Sequence, residues 1–211
     1  MNRPYPSKEL GEFKDGYQIM IEPAYDLPLF VKKTLLNPDD GVFNNDHYHL
    51  DDAIDSSIAF LWSASGFEKQ MKHVIGQTEQ LMFRAGGFQR MRQEQQFNEW
   101  FGYIPEFVIT LNGAFCREAS DNDFMALLDH ELMHIGHVTG EFGAPKFSRD
   151  TGLPVLGMRD HDVSEFVGVV ERYGVPKDSA LERMVAAANS KPLIASVDIK
   201  SACATCLKKA A

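Results

Sequence analysis

The sequence is short of cysteine: Cys116, Cys203 and Cys206 are the only three in 211 residues. An odd count cannot close completely into disulfides, so the pattern fits a reducing compartment and excludes a fold stapled by cystines. No run approaches the roughly 18 apolar residues that a membrane-spanning helix needs, and no membrane partner is expected. The opening stretch MNRPYPSKELGEFKDG lacks the apolar core of a secretory leader, which makes a cytoplasmic location the expectation. Basic charge is also scarce. With 21 Lys and Arg against 30 Asp and Glu, the net charge of -9 offers no broad phosphate-binding surface and argues against nucleic acid as the main partner. The signatures of a P-loop, a dinucleotide fold and a serine-hydrolase elbow are missing. No repeat recurs at a spacing of about 20 to 50 residues, so a solenoid is excluded as well.

What remains is a globular composition, 44% hydrophobic and 24% charged, in a length suited to one core. Residues 1–50, rich in Pro, Asp and Asn, read as a wrapping segment, 51–190 as the domain proper and 191–211 as a tail. GYQIMIEP predicts a short strand and LPLFVKKTLL a short helix. The stretch from Ile54 to Gly76 predicts two strands joined in a hairpin at Ser65-Gly66. GFQRMRQEQQFNEWFG suits a surface helix ending at Gly102, and PEFVITLNGAF, full of β-branched and aromatic residues, holds the strongest strand signal. Ser120 and Asp123 have capping-box spacing and start a helix expected to run to about Gly140. A Gly/Pro-punctuated connection follows, with a hairpin over Asp150-Thr151-Gly152. Helices are then expected in HDVSEFVGVVERYG and DSALERMVAAAN, giving an α+β class overall.

At 100° per residue, Phe124, Met125, Leu128, Leu132 and Ile135 share one side of the predicted helix, and His130, His134 and His137 share the other. His130, Glu131 and His134 spell H-E-x-x-H. Imidazoles at i and i+4 lie about 6 Å apart along a helix and can converge on one zinc ion, with the glutamate placed to take a proton from the activated water. Catalytic zinc normally takes three protein ligands, so a third must come from elsewhere. His137 lies about 10.5 Å along the axis from His130, too far for three rings of one straight helix to meet easily. The longer pattern H-E-x-x-H-x-x-G-x-x-H would place glycine at position 137 and histidine at position 140, where this chain has His137 and Gly140. His161, on a separate element after the connection, is the preferred third ligand; Glu165 is its main rival, and Asp160 and Asp162 are weaker ones.

Other candidates carry less. His47 and His49, beside Asp46, Asp51 and Asp52, read as a solvated loop with weak metal affinity at most, and His73 as a surface residue. Arg149, Arg159 and Tyr173 are available to stabilise an oxyanion, without a basis for choosing among them. The one Cys-x-x-Cys pair, Cys203 and Cys206, supplies two ligands where structural zinc needs four.

Taken together, FVITLNGAF followed by ALLDHELMHIGH, and after a loop DHDVSEF, resembles the phage metallopeptidase family, a zincin-like group related in pattern to SprT-like and YgjP-like metalloproteins. His161 and Phe166 follow that family's third-histidine segment with one extra residue between them, and IDSSIAFLWSASGFEKQ resembles the strand region upstream. The resemblance spans about residues 50–172. It implies a minimal zincin fold in which a small sheet backs the motif helix. It further implies Zn2+ held by His130, His134 and His161, Glu131 as general base, and a protein or peptide substrate. The single Cys-x-x-Cys departs from the two-knuckle zinc ribbon that SprT-like proteins often carry. The rival expectation is an accessory protein of phage or prophage origin that keeps the zinc for stability and turns nothing over.

Overall fold

The computed structural model describes residues 2–69, 71–84, 86–163, 170, 174–175, 177–195 and 202–203. The chain begins with a small ribbon, β1 (Phe13–Lys14) against β2 (Tyr17–Gln18). It reverses at Asp15 and Gly16, both at positive φ, as a tight hairpin demands. There follow β3 (Ile21–Pro23), α1 (Leu27–Lys33) and a 3-10 turn at Asn45–Leu50. Next come β4 (Ile58–Ser63), β5 (Glu68–Lys69), β6 (Lys72–Gln80), α2 (Gly87–Phe101) and β7 (Phe107–Asn112). The short α3 (Gly113–Glu118) leads into α4 (Asp121–Met133), then β8 (Ile135–His137), β9 (Leu156–Met158), α5 (Ala180–Ala188) and β10 (Ala202–Cys203). The architecture is α+β.

The main sheet runs β10-β6-β7-β4-β3, with β5 pairing β6. β4 and β7 are parallel, from Ile58 opposite Phe107 to Ser63 opposite Asn112, whereas β6 and β7 are antiparallel. IAFLWS and FVITLN are buried on both faces, and strands of that kind belong in the middle of a sheet. This corrects the expected hairpin at Ser65-Gly66. β7 inserts between β4 and β6, because a strand apolar on both faces hides more surface there than at an edge. The reversal that does form is later and shorter, Glu68–Lys69 against Lys72–His73, with Met71 at φ 59°.

One face of the sheet is covered by α4. Phe124, Leu127, Leu128 and Leu132 join Phe60, Trp62, Ile75 and Ile109 in the main core, which α1 completes with Leu27, Phe30 and Val31. Each fully buried Leu or Phe stabilises the fold by on the order of 2 kcal/mol, so packing more than helix propensity fixes α4. The other face carries a smaller cluster, in which Phe97, Trp100 and Phe101 of α2 lie against Ala59, Leu61 and Val108. α2 buries no residue completely, consistent with a surface helix, and Gly102 ends it at φ 76°.

Ser120 caps α4 by accepting a hydrogen bond from the Asp123 N–H, as the spacing predicted. The helix does not reach Gly140. It stops at Met133, and Ile135–His137 pairs as β8 with Leu156–Met158. The ladder gives these backbone groups partners and still buries Ile135, so nothing favours another helical turn. The hairpin near residues 150–152 is present, with Phe147 bridging Pro154. Most of the helix expected in residues 161–174 lies outside the described residues. Among the described residues, no helix is long and apolar enough to cross a membrane.

Candidate metal centre

His130 occupies the last turn of α4 and His134 is the residue that caps it. The motif therefore lies at the end of the helix. There the chain can fold back on it at once: β8 runs out, β9 returns antiparallel, and Arg159 comes to lie beside His134. The Arg159 N–H donates to the His134 carbonyl at 2.7 Å, and His134 Nδ1 donates to the Arg159 carbonyl at 2.9 Å. This two-point staple places His161, two residues on, over the helix end. Two glycines permit the close approach. A Cβ on Gly136 would stand 3.1 Å from Arg159 Cβ, and one on Gly157 would stand 2.9 Å from Val138 Cγ2.

The three rings form a nearly equilateral group, with centroid separations of 5.0 Å for His130 and His134 and 5.2 Å for each with His161. One ring nitrogen from each lies within 4.8 Å of the others. Because a carbonyl cannot donate, the Nδ1 of His134 carries the proton, and in the neutral ring it is Nε2 that holds the lone pair a metal requires. Three convergent imidazoles, one of them set in a fixed tautomer by the backbone, fit a divalent transition-metal ion. The group opens onto a cleft of about 330 Å³ whose other walls include Met133, Arg159, Asp162, Val163 and Met184. The Arg159 guanidinium donates to Asp162 at 2.8 Å.

Glu131 is placed differently from its neighbours. It is fully buried and does not line the cleft; its carboxylate turns toward β6, with Oε2 2.8 Å from Thr78 Oγ1. Neither Thr78 nor Gly76, which also touches it, stands out in a motif search. The available signal was a glycine inside an otherwise β-forming run, VIGQT, which marks close approach of another group.

His137 stands apart from the cluster on β8. Its Nε2 donates to the Lys146 carbonyl at 2.8 Å, and its Nδ1 faces the Tyr48 hydroxyl at 3.5 Å. His47 and His49 are not in a solvated loop: both are buried, in the 3-10 turn that packs on the end of α4. The expectation failed because polarity suggested solvent, whereas each ring has a protein partner. His47 donates to Asp129, and His49 donates to the Ile135 carbonyl at 2.8 Å. Burial alone would raise the Asp129 carboxyl, but hydrogen bonds from His47 and Asn44 outweigh it and hold the group below its usual range. His73 is half exposed beside Glu68. Cys116 is buried and its thiol is pushed up to about 12 by desolvation, which makes it unreactive. Glu165, Phe166, Tyr173 and Cys206 lie outside the described residues, and Arg149 is not part of the cleft wall.

Burial lowers the pKa of His49, so folding favours its neutral form. The unfolded chain takes up that proton below about pH 6.5. The stability His49 provides is therefore complete above that pH and lost as the pH falls toward its folded-state value. Urea unfolding at pH 7.5 and 5.5 should show a larger drop for the wild type than for His49→Gln, which keeps a donor for Ile135 and does not titrate.

The model of the family described as putative phage metallopeptidase matches residues 30–189. That range takes in β4, β6, β7, α4 and all three histidines, and the chain belongs to this family. A metallopeptidase family implies a bound metal, and the three-histidine group is the one set of residues, among those described, that could hold it. No curated protein and no solved structure matches the chain.

Proposed function

We propose that this protein is a zinc-dependent peptidase in which His130, His134 and His161 hold the ion and Glu131 is the general base. The convergence of the three imidazoles on an open cleft carries the reading. An all-imidazole set with room for a further ligand suits zinc better than the oxygen-seeking Mg2+ or Ca2+. When bound, zinc would acidify a coordinated water and polarise the scissile carbonyl.

The chain's own residues do the rest. The Arg159 carbonyl keeps His134 in one tautomer and orientation. Glu131 takes the proton of the attacking water on its carboxylate and passes it to the leaving amine. The Arg159 guanidinium, held by Asp162 in the cleft wall, is the candidate among the described residues to meet negative charge on the substrate. Met133, Val163 and Met184 give the cleft an apolar wall against which an apolar part of the substrate can pack.

One observation favours the accessory-protein reading instead: the Glu131 carboxylate is fully buried and absent from the cleft lining. Turnover separates the two. Protein reconstituted with one equivalent of zinc should cleave a quenched fluorescent peptide library, lose that activity to a chelator and regain it with added zinc. Stoichiometric zinc without cleavage of any library member would sink the peptidase reading and leave the accessory one.

A further inference from the structure

We propose that Thr78 and Gly76 of β6 are positioning residues for Glu131, which together set where its carboxylate sits. The proposal rests on the reading of Glu131 as the base, but its physical content can be tested apart from that reading.

A carboxylate taken out of water needs compensation from protein groups. Thr78 Oγ1 lies 2.8 Å from Glu131 Oε2 and 2.8 Å from the Glu131 carbonyl oxygen, yet a hydroxyl has one hydrogen to give. The carbonyl already receives the His134 N–H at 3.3 Å, and a carboxylate is the stronger acceptor. The hydroxyl therefore donates to Oε2. Thr78 is itself fully buried and pairs with Ile109 across the sheet, and its β-branched side chain has little rotamer freedom, so the donor is fixed in place.

Gly76 contributes space. In a strand, residues two apart face the same way, so Gly76 and Thr78 present themselves to the same side of β6. A Cβ on Gly76 would lie 2.5 Å from Glu131 Oε1 and 2.9 Å from Leu127 Cδ1. The positive-φ glycines do not include Gly76, so the backbone there would accept alanine. Room for the carboxylate is what the glycine provides. One residue of the strand holds Oε2 and the other makes way for Oε1, and the pair leaves the carboxylate one seat between the ligand helix and β6.

The test uses full-length, zinc-loaded protein carrying Thr78→Val, Thr78→Ser or Gly76→Ala. Thr78→Val and Gly76→Ala should lower kcat about tenfold or more with KM changed less than about twofold, and Thr78→Ser should recover to within about threefold of wild type. Zinc affinity, read by competition with a chromophoric chelator, should stay within about threefold throughout. An unchanged kcat in Thr78→Val, no rescue by serine, or a zinc affinity that falls in step with kcat would each overturn the proposal; the last would make Thr78 a support for the ligand helix as a whole.

A second arm needs no turnover. Thr78→Val should raise the unfolding equilibrium constant about tenfold in the wild-type background but less than about threefold beside Glu131→Leu, where no carboxylate is left to hold. Equal effects in both backgrounds would overturn the proposal even if no peptide is ever cleaved, an outcome that by itself sinks only the peptidase reading.

Discussion

Replacing Glu131 with glutamine should slow peptide hydrolysis by at least about 100-fold while zinc stays bound. Glutamine is isosteric, and its amide oxygen can still accept from the Thr78 hydroxyl 2.8 Å away, so the seat against β6 is kept and α4 has no reason to move. What is lost is the basic oxygen. Positioned general bases contribute about 10²- to 10⁴-fold, and kcat should fall by that range. The metal content of the purified variant should match wild type, because the three imidazoles are untouched. Two outcomes would contradict this account. Hydrolysis at the wild-type rate would mean that the proton goes elsewhere, which the buried position of Glu131 makes a real test. Loss of zinc together with activity would mean that the residue serves the fold rather than the reaction.

How far the sequence could be read follows from the range of the forces involved. The α4 start was legible because capping is local: Ser120 and Asp123 are three residues apart and meet in space. The end of α2 at Gly102 was legible for the same reason. The end of α4 was not. Whether Ile135–His137 continues a helix or joins a ladder depends on Leu156–Met158, some twenty residues away, and helical periodicity is blind to that partner. The position of β7 between β4 and β6 is likewise decided by competition for the centre of the sheet. Histidines showed the opposite bias. In the sequence His47 and His49 sit in a polar, acidic run, and only Asp129 and the Ile135 carbonyl, more than eighty residues on, explain why they are buried. The surroundings of Glu131 were hidden too, since a threonine and a glycine in a strand have no motif of their own.

His161→Ala should cost zinc affinity heavily, and His137→Ala should cost none. Substitutions of groups that merely orient a ligand weaken metal binding by about 10- to 100-fold, so removal of one of three ligands should exceed the upper figure. His161 is the exposed member of the group and belongs to no helix or strand; it reaches the helix end through the Arg159–His134 staple. Its exposed ring adds no buried surface to the core, so the unfolding midpoint of metal-free His161→Ala should fall less, relative to metal-free wild type, than that of metal-free His137→Ala. His137 provides the contrast. Its ring bonds the Lys146 carbonyl and stacks near His49, 6.0 Å between centroids, so alanine there should destabilise the apo protein and leave the affinity for zinc intact. The two variants thus exchange effects between two measurements, chelator competition and urea unfolding. If His161→Ala kept wild-type affinity, the third ligand would have to come from another residue, and the geometry that brings β9 back to the end of α4 would have a purpose other than metal binding.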